Sequence, residues 1–125
     1  MHNDSDNYEY ILDPKNLKFT TLPIQFPQIF NKYKDMMASF WKAEEIDFDA
    51  DYEDFQTLTP DEQHFIKRIL AFFAQSDGIV NFNLSERFTT EIKITEIIYG
   101  YQFQIIMENI HAEVYSLLLE HIVKD

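Results

Sequence analysis

Glu108, His111 and Tyr115 stand at offsets of zero, three and seven in the stretch MENIHAEVY. On a helix those offsets bring a carboxylate, an imidazole and a phenol onto one narrow face. A carboxylate and a neutral imidazole three residues apart can reach one transition-metal ion from a single turn. Glu-x-x-His by itself is common, and its everyday setting is a solvated stripe. Two features favour ligation here. The pair lies between the apolar segments YQFQII and SLLL, where an unpaired carboxylate is costly. Tyr115 adds nothing that packing requires, whereas a phenol one turn beyond the imidazole suits one-electron chemistry.

Asp77 is the next anomaly, an acid inside the apolar run AFFAQSDGIV and followed by the weak helix former Gly78. A local bend, or a polar edge shared with Gln75 and Ser76, would account for it. The interval from Asp77 to Glu108 also suits two antiparallel helices joined by a short connection. On that geometry the two acids meet midway along their helices. Two carboxylates and an imidazole then form a hard-to-borderline donor set for iron or manganese.

Other candidates read more plainly. Asp47, Asp49 and Asp51 match the start of a calcium-binding loop, but Tyr52 stands where the turn needs Gly and Leu58 where a bidentate Glu belongs. That run is expected to be a solvated acidic connection. Trp41, the single tryptophan, reads as a core anchor with polar flanks. His64 and His121 have no carboxylate at ligand spacing, and His2 belongs to the N-terminal tail.

The elements that must position these residues are helical. The segment IFNKYKDMMASFWKAEE has the three-and-four apolar spacing of an amphipathic helix of roughly four turns. Before it, LPIQFPQIF carries two prolines and is expected to be extended or kinked. In LTPDEQ, Thr59 suits an N-cap, Pro60 the first helical position and Glu62 the reciprocal partner of a capping box. The helix begun there is expected from Pro60 to about Leu84. A further long helix is expected from about Glu91 to the chain end. Residues 1–20 read as a polar arm, and 21–125 as part of one bundle domain. The chain shows no internal repeat and no low-complexity tract.

Composition bounds the function. With 125 residues, 46% apolar and 16% aromatic, only two Gly and no Cys, the chain suits a helical core and excludes disulfide and thiolate-metal frameworks. A formal net charge of −12 without a basic cluster argues against nucleic acid. The N-terminus lacks the apolar stretch of a signal peptide, and no run approaches a bilayer span. A soluble, cytoplasmic protein is the expectation.

Together FWKAEEID, LTPDEQHFIKRILAFFAQSDGIVNFNL and QIIMENIHAEVYSLL resemble, in order and spacing, the small, radical-generating subunit of class I ribonucleotide reductase, closest to its eukaryotic and viral branch. The likeness runs from about Leu22 to Asp125. It implies an all-α, ferritin-like helical bundle holding two irons bridged by oxygen, with manganese as a substitute. Asp77, Glu108 and His111 match the family's first three protein ligands. Tyr115 matches the tyrosine oxidised to a stable radical when the reduced site meets oxygen. Trp41 matches the tryptophan that relays an electron between cluster and surface. The implied partners are a second small subunit and a large subunit that reduces ribonucleoside diphosphates for DNA replication.

The chain departs from the family in two respects, one of them the absence of the C-terminal tail that docks on the large subunit. The second half of the ligand set, a further carboxylate and another Glu-x-x-His pair, does not follow His111, so the sequence is expected to be the N-terminal portion of such a subunit. Two other readings stand beside the enzyme. One is a non-catalytic split or decayed half that only associates with other chains. The other is a different ferritin-like carboxylate protein such as an iron store, which Asp at the first ligand position and Tyr four residues after the His disfavour.

Overall fold

The computed structural model describes residues 8–122. His2, the start of the arm and the last three residues of the expected C-terminal helix lie outside the described residues. Five helices follow in order: α1 (Pro27–Ala38), α2 (Asp49–Gln56), α3 (Pro60–Asn83), α4 (Thr89–Glu91) and α5 (Thr95–Ile122). Single 3-10 turns at Tyr10–Leu12, Pro14–Asn16 and Ala43–Glu45, and a π-helical turn at Leu84–Phe88, complete the regular structure. No strand occurs among the described residues, so the all-α expectation holds.

The start of α3 is the capping box read from the sequence. The Thr59 amide donates to Glu62 Oε2 at 3.0 Å, and the Glu62 amide donates to Thr59 Oγ1 at 3.3 Å. Pro60 at the first helical position forgoes an amide that the helix would leave unpaired. The helix ends at Asn83, close to the expected boundary.

Three expectations need correction. The helix expected over 29–45 ends at Ala38, because Ser39 turns back on it. Its amide and its hydroxyl both donate to the Met36 carbonyl, at 3.1 and 2.7 Å. Trp41 therefore lies beyond α1. The acidic connection is in fact largely helical, as α2. Asp47 Oδ1 accepts the Asp49 amide at 3.0 Å, Asp49 and Asp51 sit in the first turn where the helix dipole favours anions, and Phe48 and Phe55 are buried. Finally, the helix expected from Glu91 is interrupted. Ile92 is extended, Ile92 and Ile94 are buried, and the Lys93 amide donates to the Ile11 carbonyl at 2.7 Å. β-branched side chains that bury well in an extended stretch, with an external partner for the backbone, displace the helix there. It resumes at Thr95.

The described chain packs as two units. One comprises the residues up to Ser39 with Asn83–Gln104, the other Phe40–Phe82 with the residues from Ile105 on. The first is organised around Glu96, which is 1% exposed. Its Oε1 accepts the Gln25 and Phe26 amides at 2.7 and 3.4 Å, and the Lys18 ammonium lies 3.8 Å away. Burial pushes the Glu96 pKa up, but amide donors from Gln25, Glu96 itself and Phe26, with Lys18, outweigh this and hold it below the ordinary glutamate value. A hydroxyl pair, Thr21 with Tyr99 at 2.6 Å, fastens the same arm to α5.

The second unit holds the residues with chemical potential. The Gln63 side chain donates to the Phe55 and Leu58 carbonyls at 3.0 and 3.2 Å, tying the end of α2 to α3. Here α3 and α5 run antiparallel. The Asn81 side-chain amide bonds Asn109, Asp77 faces Glu108 and His111, Phe73 meets Tyr115, and Ile66 and Leu70 line one groove with Leu118 and Ile122.

Candidate metal centre

Asp77 comes from the middle of α3, and Glu108 and His111 from one turn of α5. A ligand atom from each lies within 4.8 Å of the others. This is the convergence that the interval between Asp77 and the Glu-x-x-His pair predicts. Among the described residues it is the only such group of three or more metal-competent side chains. Glu108 Oε2 and His111 Nδ1 are 3.7 Å apart, with the two side chains 17% and 39% exposed.

One atom shows that the group fits a cation. Asp77 Oδ2 is buried without a hydrogen-bond partner. A carboxylate oxygen withdrawn from water and left unpaired costs free energy of about 1–3 kcal/mol or more. A metal ion shared with Glu108 and His111 would remove that cost. Two carboxylates and an imidazole form a donor set suited to iron or manganese and poorly suited to softer ions.

Aromatic rings flank the three ligand candidates. The Trp41 indole lies against the His111 imidazole, with centroids 5.6 Å apart and planes at 31°. Tyr115, half-buried on the same face of α5, stacks on Phe73 of α3 at 5.8 Å and 22°. The structure thus brings Trp41 to His111 although α1 ends before Trp41 is reached. Nothing in the local sequence around Phe73 marks it as a neighbour of the site. The signal was there in the register: it precedes Asp77 by one turn on α3, as Tyr115 follows His111 by one turn on α5.

The remaining histidines stay apart. His64 is exposed near the start of α3. The ring of His121 contacts the Leu117 carbonyl through Nδ1 at 2.8 Å and packs on Phe48 at 5.4 Å. Asp47, Asp49 and Asp51 are exposed and serve α2 rather than a cation.

The family model for the small chain of ribonucleotide reductase matches residues 18–125. The ribonucleoside-diphosphate reductase small chain of monkeypox virus is 56% identical over 117 residues, which make up 94% of this chain and 37% of that protein. The small chain of Encephalitozoon cuniculi is 50% identical over 117 residues, covering 94% of this chain and 36% of that one. The structure of the Rnr4 homodimer of ribonucleotide reductase from Saccharomyces cerevisiae superimposes with a TM-score of 0.82 at 42% identity, over 92% of this chain and 37% of that one. The chain spans little more than a third of the length of these relatives. The likeness to the yeast structure bears out the ferritin-like helical fold.

Proposed function

Since the chain belongs to the family of ribonucleotide reductase small chains, we propose that its whole protein generates the radical with which a large subunit reduces ribonucleoside diphosphates. Asp77, Glu108 and His111 are its contribution to a dinuclear iron site, in which manganese could take the place of iron. Tyr115 is the residue oxidised, and Trp41 the relay. A second copy of the small chain, as in the yeast homodimer, and a large subunit are the partners, and the cytoplasm the setting. The observation that carries this reading is the convergence of three ligand atoms, one on each of these side chains.

When bound, the metal pair supplies the oxidising power for one-electron chemistry with oxygen. The protein's own residues do the rest. Asp77 and Glu108 balance cationic charge with fixed carboxylates. His111 offers a ring nitrogen, and the Trp41 indole packed against the imidazole limits how that ring can turn. Tyr115 would supply one of the electrons that reduce oxygen, from its ring, and one proton from Oη, taken up in the water formed, so that the phenoxyl product is neutral. Its half-buried position and the Phe73 ring beside it restrict quenching by water. Trp41 is partly exposed and its ring meets His111, so an electron arriving through it would come directly to a ligand side chain.

The test uses the full-length protein, loaded anaerobically with ferrous iron and then given oxygen. Electron paramagnetic resonance should show a tyrosyl radical, and Tyr115→Phe should abolish it while leaving the bound iron unchanged. A radical that survives this substitution removes the role given to Tyr115. Failure of the wild type to bind iron would favour a non-catalytic associating chain, and uptake of many irons per chain would favour a store.

A further inference from the structure

The register that brings Asp77 to Glu108 and His111 has a second result. Phe73 and Asp77 are one turn apart on α3, and His111 and Tyr115 one turn apart on α5, with the helices antiparallel. The same alignment therefore lays the Phe73 ring on the Tyr115 ring, with centroids 5.8 Å apart and planes at 22°. Phe73 is itself met edge-on by Phe72, at 5.9 Å and 61°. Yet Phe73 remains 44% exposed. Within this chain its flat contact with Tyr115 is the one that meets a ring of α5.

We propose that Phe73 is a positioning residue for Tyr115: it fixes the torsion of the phenol ring and shields one ring face from water. The proposal rests on the reading of Tyr115 as the residue oxidised. Aromatic pairs prefer particular mutual orientations, so the near-parallel contact favours one angle of the Tyr115 ring in a way that an aliphatic side chain does not. The torsion matters because an unpaired electron on a phenoxyl ring couples to its β-protons according to the angle of the ring about the Cβ–Cγ bond. A single held angle gives one sharp hyperfine pattern. A shielded face also slows reduction of the radical by small molecules from water. Phe73 itself takes up no electron or proton; it acts through Tyr115.

Two measurements on the full-length protein test this. The first needs no metal. With 3-fluorotyrosine at position 115, the two positions of the fluorine that a ring flip interconverts should give separate fluorine resonances in the wild type. They should merge in Phe73→Ala, and remain merged in Phe73→Leu, which restores volume without a flat surface. Separate resonances in both variants would overturn the proposal. The second measurement follows the radical after iron and oxygen. Phe73→Ala should bind iron as the wild type does, but show a broadened hyperfine pattern and about tenfold faster decay with a small hydrophilic reductant. Phe73→Leu should recover much of the lifetime and little of the sharpness. An unchanged pattern and lifetime in Phe73→Ala would overturn the proposal even with Tyr115 confirmed as the radical. A wild type with separate fluorine resonances and no radical would instead defeat the oxidation role and leave the restraint on the ring standing. Should the alanine variant not fold, the leucine variant alone decides, since only its ring-torsion readouts are expected to change.

Discussion

The indole of Trp41 lies 5.6 Å from the imidazole of His111, the planes tilted by 31°. Trp41 sits in an irregular stretch after α1, so its backbone is not held by helical hydrogen bonds. The contact with His111 accordingly constrains both partners. Trp41→Phe keeps a flat ring in that place and should retain metal binding, with loss of turnover once the large subunit is added. Trp41→Ala removes the wall and should also weaken metal binding by about tenfold, the lower range for loss of a group that orients a ligand. A metal titration of both variants, together with a turnover assay of Trp41→Phe, separates the two roles. Equal affinity in Trp41→Ala and wild type would show that the indole does not orient His111.

Glu96 gives an acid-side prediction. Its carboxyl is held below the ordinary glutamate value, since the raising effect of burial is outweighed by the Gln25, Glu96 and Phe26 amides and by Lys18. A carboxyl with a lowered folded-state pKa binds its proton more readily in the unfolded chain. Its contribution to stability is therefore fully present above the unfolded-state value and disappears as the pH falls through the folded-state one. Urea unfolding followed from about pH 7 to about pH 3 should show a steeper acid loss for wild type than for Glu96→Gln. At neutral pH the variant should be less stable by about 1–2 kcal/mol, because its amide oxygen still accepts from Gln25 and Phe26 but as a neutral acceptor, without the charge that strengthens those bonds and attracts Lys18. Parallel pH profiles would mean that Glu96 is not charged in the folded state.

What was legible in the sequence depended on how local its cause was. The start of α3 could be placed to the residue because Thr59, Pro60 and Glu62 supply caps and dihedral preference within one turn. The meeting of Asp77 with Glu108 and His111 was legible because an acid in an apolar run is costly and a hairpin of helices fixes its partner. The break at Ile92–Ile94 was not, since the backbone partner of Lys93 is the carbonyl of Ile11, far away in the chain. For α2, a run of acidic side chains concealed a helix whose support is the burial of Phe48 and Phe55, a tertiary effect that overrides local pattern. Phe73 escaped notice because one phenylalanine among twelve carries no chemical mark; only the register gives it a role.

Gly78 adjoins Asp77 in the interior of α3, and a methyl group built on it would meet nothing within 4 Å. Its backbone does not have a positive φ. In this chain nothing therefore requires glycine for space or conformation, while its freedom in the unfolded state weakens the helix. Gly78→Ala should stabilise the chain by about 0.5–1 kcal/mol in denaturant unfolding. A loss of stability would show that the position needs glycine within this chain; stabilisation here with a loss at full length would point instead to a contact formed in the longer protein.

The capping box at α3 has a separable prediction, because its two bonds serve different groups. Thr59 Oγ1 satisfies the Glu62 amide, and Glu62 Oε2 satisfies the Thr59 amide. Thr59→Ala should cost about 0.5–2 kcal/mol, and Thr59→Ser much less, since serine keeps the acceptor. Glu62→Gln should preserve the reciprocal bond but lose a negative charge at the positive end of the helix, a loss of about 0.3–1 kcal/mol that salt should diminish. Unfolding free energies at low and high salt distinguish the two terms. A salt-independent cost for Glu62→Gln would assign its contribution to hydrogen bonding alone. The position of Asp77 depends on α3 being formed, so the same variants should lower metal affinity only to the extent that they lower the stability of the helix.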